Sequence, residues 1–401
     1  MLEDVTLEHF IKFLNIYRRF VEIYLTNTKT TLKIYSNHNY MNKKLIIGLV
    51  ALAIVIGGFT LNSKQTAPQP VSEGVKTVNF GGVLALTGYA AIDGGNIKDG
   101  IELAKSDLAK EGVILNVEYY DDATDPKKTI AGVEYMNGKG IKTIFGPTWS
   151  YQISAALPTL SKYGMTAYIA DTSSDVVEGN QTDKERLVHG VSPIYQITAP
   201  TTKWIKDNNV TKLAILTVDG AWGIAHTEAW KKAVSDAGIS AGLTEMFDYG
   251  SEPIVIATLV VKAKAQGVDG IVWTGTEAGA VALVKKMQEL GYNVPVLGTN
   301  YLKVASDSKK IEITDYNVSM IESARSESFS AKYRSVYNRE PNKYAESSYD
   351  LTMIAVQTEL GKGVATTREY LLSKEHTGFA KQYRFDTSGD ITNLSWSVTK
   401  L

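Results

Sequence analysis

The chain has 401 residues, a formal net charge of −1 at pH 7 and no cysteine. That length accommodates two domains, and the charge balance removes the electrostatic ground for nucleic acid or anionic lipid as a partner. The missing thiols exclude disulfides, thiolate metal sites, a cysteine nucleophile and the acylated cysteine that tethers a lipoprotein.

At the start of the chain, Phe10, Phe13, Leu14, Tyr17, Phe20, Val21 and Tyr24 fall at helical spacing, which predicts a short amphipathic helix. Met41-Asn42-Lys43-Lys44 then reads as a natural start of translation. Residues 1–40 are accordingly expected to be an upstream extension, rarely or never made. Leu45 to Leu61 is an apolar run of roughly 17 residues, ~25 Å long as a helix. The two lysines before it and the polar Asn62-Ser63-Lys64-Gln65 after it orient the run from inside to outside. Residues 41–62 fit either a cleaved signal peptide or an uncleaved membrane anchor, Thr60-Leu61-Asn62-Ser63 being a poor cleavage site. Residues 63–74 read as an extended linker, because Pro68 and Pro70 each remove a donor and disfavour helix before them.

From Val75 onward, strands and helices alternate. The pattern predicts strand Thr77–Leu86, helix Gly95–Glu111, strand Ile114–Tyr120, helix Pro126–Asn137, strand Lys142–Phe145, helix Tyr151–Tyr163 and strand Met165–Ala170. Strand Leu187–Val191 and helix Tyr195–Asn208 follow. The rhythm restarts with strand Lys212–Val218, helix Trp222–Ala237, strand Gly242–Phe247, helix Ile254–Gln266, strand Gly270–Thr274, helix Ala278–Leu290 and strand Pro295–Gly298. Such alternation means an α/β fold with parallel sheets covered on both faces. The break near Ser192 to Thr201 implies two lobes. Three helices in the tail exceed what the second lobe needs, so the chain is expected to return to the first. The boundaries drawn are 75–195 with about 325–375 for lobe 1, and 196–324 with about 376–401 for lobe 2.

Two strand ends carry the functional signal. Tyr120-Asp121-Asp122-Ala123-Thr124-Asp125-Pro126 is a carboxylate-rich turn with proline opening a helix. Ile144-Phe145-Gly146-Pro147-Thr148-Trp149-Ser150 repeats the layout. Crevices at the ends of strands in an open parallel sheet are where small ligands bind. Together with Ala170-Asp171-Thr172-Ser173-Ser174, Asp219 with Trp222-Gly223, and Phe385-Asp386-Thr387-Ser388-Gly389-Asp390, these segments resemble the periplasmic leucine/isoleucine/valine-binding proteins. Those are the type I solute-binding proteins of ABC importers, and the resemblance covers about Val75 to Leu401.

The resemblance implies two Rossmann-like lobes, joined by three crossing segments, that close like a clamshell on a ligand. It implies that Ser150 takes a ligand carboxylate with its hydroxyl and backbone amide. As the expected N-cap of the next helix, Ser150 would sit at a dipole end that attracts anions, although a purely capping role also fits. Ser173, or Ser174 if the match slips by one, falls where a threonine holds both ends of a zwitterion. Asp171 falls where the family presents a carbonyl to the ammonium. Departures from the family concern ligand identity. Asp93 stands where an aromatic ring would, Trp222 replaces a tyrosine lid, Glu277 lies at a second tyrosine position and Asn300 at a glutamate. Trp149 flanks Ser150, and Tyr349 follows the expected aromatic position of the tail. Aromatic walls combined with Asp93, Asp171 and Glu277 predict a ligand with a cationic nitrogen, an amino acid or a related amine or amide.

The five histidines show no metal-ligand spacing. Gly138-Lys139-Gly140 lacks the serine or threonine and the upstream glycine of a phosphate loop, and no nucleophile elbow or dinucleotide fingerprint occurs. The expectation is therefore a binding protein without cofactor or metal rather than an enzyme: an extracytoplasmic component of an ABC importer, working with a permease and held at the membrane by residues 45–61. A ligand-sensing receptor domain is the alternative, and an amidase-like enzyme on this fold a third class.

Overall fold

The computed structural model describes residues 76–323, 326–379 and 381–401. The expected extension, apolar run and linker lie outside these residues. No described helix is long and apolar enough to cross a membrane.

The first half of the chain builds β1 (Lys76–Leu84), α1 (Ala91–Lys110), β2 (Val113–Asp121), α2 (Pro126–Gly138), β3 (Thr143–Phe145), α3 (Ser150–Lys162), β4 (Thr166–Ile169), α4 (Gln181–Lys184) and β5 (Leu187–His189). These strands pair parallel in the order β2-β1-β3-β4-β5. A parallel sheet covered on both faces needs near-continuous apolar strands. The second half of β1, Phe80 to Leu84, is accordingly buried throughout.

The second sheet begins after α5 (Thr198–Asp207) with β6 (Lys212–Val218), α6 (Ala221–Ala237), β7 (Ser240–Phe247), α7 (Glu252–Ala265), β8 (Gly270–Thr274), α8 (Glu277–Glu289), β9 (Val296–Gly298), α9 (Tyr301–Asp307) and β10 (Val318–Ser323). The tail supplies α10 (Glu327–Tyr337), α11 (Lys343–Gly361), α12 (Thr367–Leu372), a small hairpin of β11 (His376–Thr377) and β12 (Gln382–Tyr383), and β13 (Trp396–Lys400). The second sheet runs β13-β10-β9-β8-β6-β7, and β13 pairs antiparallel to β10. Apart from the small hairpin, three elements here go beyond the predicted alternation. Val318–Ser323 holds only the apolar pair Met320-Ile321 between Ser319 and Glu322, α9 is only seven residues long, and β13 is a polar edge strand. None shows the apolar period of a buried element.

The return of the tail to lobe 1 has a clear basis. Leu351, Ile354 and Ala355 of α11 share one apolar core with Phe80, Ile97 and Ile101. The last crossing comes later than the boundary drawn near residue 376. Tyr383, Phe385 and Ile391 still pack in the first core, and only with β13 does the chain join the second sheet. Ser192 Oγ in the first crossing donates to the carbonyls of Ile391 and Leu394 in the third, both at 3.3 Å, so these two strands of the hinge are tied together.

Helix α1 starts four residues before the predicted Gly95, which brings Asp93 into its first turn. The Gly94-Gly95 pair signals a turn by composition. In the fold Gly94 instead allows α1 to lie against β1: a Cβ there would stand 2.0 Å from the Ala85 carbonyl oxygen. Gly223 plays the same part in lobe 2, where a Cβ would stand 1.6 Å from the Val218 oxygen. Gly223→Ala is expected to cost about 1–3 kcal/mol through overpacking. A thermal unfolding midpoint equal to that of the parent protein would contradict this packing.

Candidate functional site

The loops that follow the strands of both sheets face each other across a cleft. From lobe 1 come Trp149, Ser150 and Tyr151 after β3, and Asp171 and Thr172 after β4. From lobe 2 come Trp222, Tyr249, Gly275, Thr276 and Tyr301. These line a cavity with about 50 Å³ open to the centre of a water-sized sphere, together with Val176 and Tyr344. A second, smaller cavity, with about 20 Å³ open to the centre of a water-sized sphere, lies toward the hinge. It is lined in part by Ser173, His226, Thr299, Asn300, Lys343 and Trp396, and it shares Asp171, Val176, Trp222 and Tyr344 with the first.

Asp93 organises the cleft from beneath. Only 3% exposed, it accepts hydrogen bonds from Trp149 Nε1 at 3.0 Å, Asn342 Nδ2 at 3.0 Å and the Tyr301 hydroxyl at 2.9 Å. Trp149 and Asn342 belong to lobe 1 and Tyr301 to lobe 2, so one carboxyl group joins the two lobes. The rings of Trp149 and Tyr249 stack across the same boundary, with centroids 6.4 Å apart and planes 17° from parallel. The structure is therefore a closed clamshell.

Burial raises the Asp93 pKa above the usual carboxylate value, against the pull of its three donors and the positive charge of Lys343. Asp171 is raised well above that value, first by desolvation and then by the charge of Asp93, with Lys343 again opposing. Thr172 Oγ1 donates to Asp171 at 2.8 Å. Two acidic groups thus share a desolvated cleft with one nearby ammonium.

The loop bearing Asp171 is braced from outside. Asp175 accepts from Ser173 Oγ at 2.6 Å and from the Ile194 amide at 2.8 Å, tying the loop to the first crossing. Asp390 accepts from the Ser174 amide at 2.9 Å and also from the Ser174 hydroxyl. On the other lobe the buried Glu252 accepts from the Thr276 amide at 2.7 Å and from its hydroxyl, which holds the Gly275–Thr276 rim in place.

The predicted residues can now be placed. Ser150, Asp171, Trp222 and Trp149 line the first cavity, Ser173 and Asn300 the second, and Asp93 supports both lobes without lining either cavity. Ser150 is the first residue of α3 rather than its cap. Trp149 holds the cap position, where its amide donates to Gln152 Oε1 at 3.2 Å. The Gln152 and Ile153 amides both donate to the Trp149 carbonyl oxygen at 3.0 Å, which leaves the Ser150 and Tyr151 amides as those without an intrahelical acceptor. The Ser173 hydroxyl is engaged by Asp175, and Ser174 by Asp390.

Two predicted residues are corrected. Glu277 heads α8, but its carboxylate bonds Ser308 Oγ at 2.8 Å and Lys310 Nζ at 2.9 Å, on the outside of lobe 2. Tyr349 lies two turns into α11, where its ring packs on Phe329 and Phe379 and its hydroxyl donates to Asp107 at 2.7 Å. Neither lines a cavity. The acidic turn after β2 is likewise structural. Asp121 accepts from the amides of Leu86 and Thr87, Asp122 from Thr129 Oγ1, and Asp125 caps α2 through the Lys127 amide. The site residues beyond the prediction are Thr172, Tyr249, Thr276, Tyr301, Lys343 and Tyr344. Tyr301 could have been found: it stands one residue past Asn300, where the short helix turns it toward Asp93.

The chain belongs to the periplasmic binding protein family, whose pattern it matches over residues 77–371. Members of that family bind solutes and do not transform them. Among its relatives is a protein named Leu/Ile/Val-binding protein BraC3 from Rhizobium johnstonii, 24% identical over 227 residues, 55% of this chain and 60% of that protein. The chain thus spans about 60% of that relative's length. Two solved structures share the fold. A solute-binding protein of an ABC transporter from R. palustris, in complex with 4-hydroxybenzoate, superposes with a TM-score of 0.68 at 17% identity, covering 81% of this chain and 93% of the other. The branched-chain amino acid transporter substrate-binding protein LivJ from Streptococcus pneumoniae, in complex with isoleucine, gives a TM-score of 0.63 at 17% identity, covering 81% of this chain and 100% of the other.

Replacing Tyr301 by Phe removes a hydroxyl that ties Asp93 to the opposite lobe. A hydrogen bond to a charged group contributes about 1.5–3 kcal/mol, so the open form of Tyr301→Phe should gain at least about tenfold in population. Small-angle scattering checks this: the variant's radius of gyration should exceed that of the parent, and equal radii would remove Asp93 from the role of clasp.

Proposed function

We propose that the protein is the extracytoplasmic substrate-binding component of an ABC importer. It captures an amino acid or a closely related amine or amide between its lobes and presents the closed complex to a membrane permease. The observation that carries this reading is the pairing of opposite preferences on one cavity wall. The start of α3 at Ser150 offers free amides and a positive dipole end. Asp171 offers a carboxyl group whose neighbours leave it short of positive charge. An anionic group at the first and an ammonium at the second describe a zwitterion.

In this reading Ser150 receives the carboxylate and Asp171 with Thr172 the ammonium. Trp149, Trp222, Tyr249 and Tyr344 enclose the rest of the ligand, and aromatic faces favour a cation held among them. Asp93 does not touch ligand; it sets the closed geometry. Ser173 and Asn300 border the hinge side. Benzoate-type ligands, as in the R. palustris structure, carry no cationic group for Asp171, which favours an amino acid here. Ligand contacts to both lobes stabilise the closed state, so binding and closure are one equilibrium. The lysines before the apolar run at 45–61 support export or attachment by that segment.

Calorimetry against the standard amino acids and benzoate tests the assignment. Ser150→Ala should weaken the best amino acid ligand about tenfold, and Asp171→Asn by more, because hydrogen bonds to charged groups carry about 1.5–3 kcal/mol. Benzoate binding tighter than every amino acid, or affinities indifferent to both substitutions, would refute it.

The pH dependence has a definite sign. Asp171 is raised in the empty fold, so above the ordinary carboxylate pKa of about 4 the folded protein keeps a proton that the unfolded chain has lost. The empty protein therefore loses stability as pH climbs through that window. A bound ammonium favours ionised Asp171, so ligand binding releases the proton and tightens as pH rises. The ligand-induced increase in melting temperature should grow with pH in the native protein and be flat in Asp171→Asn. Equal increments in both proteins across the window would dissociate Asp171 from the ammonium.

A further inference from the structure

Half of the wall around the main cavity is aromatic. Six of its twelve lining residues carry rings, against 9% of the chain as a whole. Trp149, Tyr151 and Tyr344 come from lobe 1, and Trp222, Tyr249 and Tyr301 from lobe 2. The set is therefore whole only where both lobes meet. Among the described residues of that wall, Asp171 is the single acid.

Two of the rings are oriented by Asp93, which lines neither cavity. The Trp149 indole N–H and the Tyr301 hydroxyl both donate to it. Those donors sit on the ring edges, so each ring turns a positive edge toward Asp93 and away from the cavity. Aromatic faces are negative, and cations settle on them. The same preference is at work close by. The Lys343 ammonium lies over the rings of Tyr344 and Trp396, 5.1 and 5.3 Å from their centroids, which takes one face of Tyr344.

The wall distinguishes two kinds of cationic nitrogen. A primary ammonium brings three N–H donors, each in need of an acceptor. The strong acceptor among these side chains is Asp171, and one of its oxygens already takes the Thr172 hydroxyl at 2.8 Å. Most other hydroxyls on the wall are phenols, whose lone pairs are drawn into the ring and accept poorly. An N–H enclosed without an acceptor forfeits its hydration, a penalty that a methylated nitrogen does not carry. Its methyl groups share the positive charge and present it to ring faces without requiring hydrogen bonds.

Size agrees. The cavity leaves about 50 Å³ for the centre of a water-sized sphere. Taken as round, it measures about 7 Å from wall to wall once the radius of that sphere is added. A trimethylammonium head is also about 7 Å across, given its C–N bonds and methyl radii. Such a space suits that head with a one-carbon arm to a carboxylate at Ser150, and no long side chain.

We propose that the cleft is an aromatic cage for an N-methylated ammonium, and that the ligand is a compact zwitterion of the betaine type. Its alkylated nitrogen lies among the rings beside Asp171, and its carboxylate at the start of α3. This rests on the reading of the cleft as a zwitterion site and names the state of the nitrogen.

The test is calorimetry on the full chain with glycine and its N-methyl, N,N-dimethyl and N,N,N-trimethyl derivatives, with leucine alongside. Affinity should climb along the series, the trimethyl compound binding at least about tenfold tighter than glycine and leucine. The isostere 3,3-dimethylbutanoate has the same shape and carboxylate without the positive charge. It should bind at least about tenfold weaker than the trimethyl compound. Trp222→Leu and Tyr249→Leu keep an apolar wall without a ring. Each should narrow that charge preference about threefold or more, the range of one aromatic–cation contact. Glycine or leucine binding as tightly as the trimethyl compound would overturn the cage and leave the amino acid reading standing. A charge preference unaltered in both variants would do the same. Equal affinity for the isostere, or failure of every cationic ligand to bind, would bring down the reading of the cleft itself and the cage with it.

Discussion

A carboxyl group taken out of water is costly unless donors surround it, and Asp93 finds its donors on both sides of the cleft. Trp149 and Asn342 supply two from the first lobe. The third comes from Tyr301 in the second lobe, across the cleft. Closure therefore completes the solvation of a group that the first lobe leaves partly satisfied. The stacking of Trp149 on Tyr249 adds apolar contact at the same boundary. Because Trp149 both donates to Asp93 and walls the ligand cavity, the state of the clasp and the shape of the pocket are coupled through one side chain.

The rest of the architecture presents this arrangement without stiffening it. Within each lobe the ligand-facing loops are braced by buried or half-buried acids: Asp175 and Asp390 behind Asp171, and Glu252 behind Thr276. These contacts hold the loops of each half of the site independently of the bonds that cross the cleft. The hinge has a different composition, with Ser192 joining the first and third crossings through two long hydrogen bonds. Rigid loops on lobes joined by a lightly bonded hinge are what a protein needs if ligand contacts are to decide between open and closed.

Electrostatics separates the chemistry of this cleft from that of a general apolar pocket. Burial raises the proton affinity of both Asp93 and Asp171, the charge of Asp93 adds to the rise at Asp171, and Lys343 opposes both. An aromatic carboxylate would add negative charge to that balance, whereas an ammonium improves it. The fold alone does not discriminate, since proteins sharing it are found in complex with 4-hydroxybenzoate and with isoleucine. Discrimination has to come from side chains on the loops, where this chain carries acids and aromatic rings together.

Much of the framework was legible in the sequence, because period and punctuation are local. Alternating apolar runs gave the order of strands and helices through β9 apart from the four-residue α4, and Pro126 opened α2 as expected. The presence of Ser150, Asp171 and Trp222 at strand ends placed them near any cleft of such a fold. Other facts were decided only by the tertiary structure. Glu277 and Tyr349 occupy plausible positions in the chain, yet a lysine on one side and an aromatic cluster on the other draw them away from the cavity. Asp93, Tyr301, Lys343 and Trp396 lie far apart in sequence and become neighbours only when three crossings fold the tail back over both sheets. Local pattern determines which elements form. Which side chains share a desolvated space depends on how those elements pack, and no single segment of the chain contains that information.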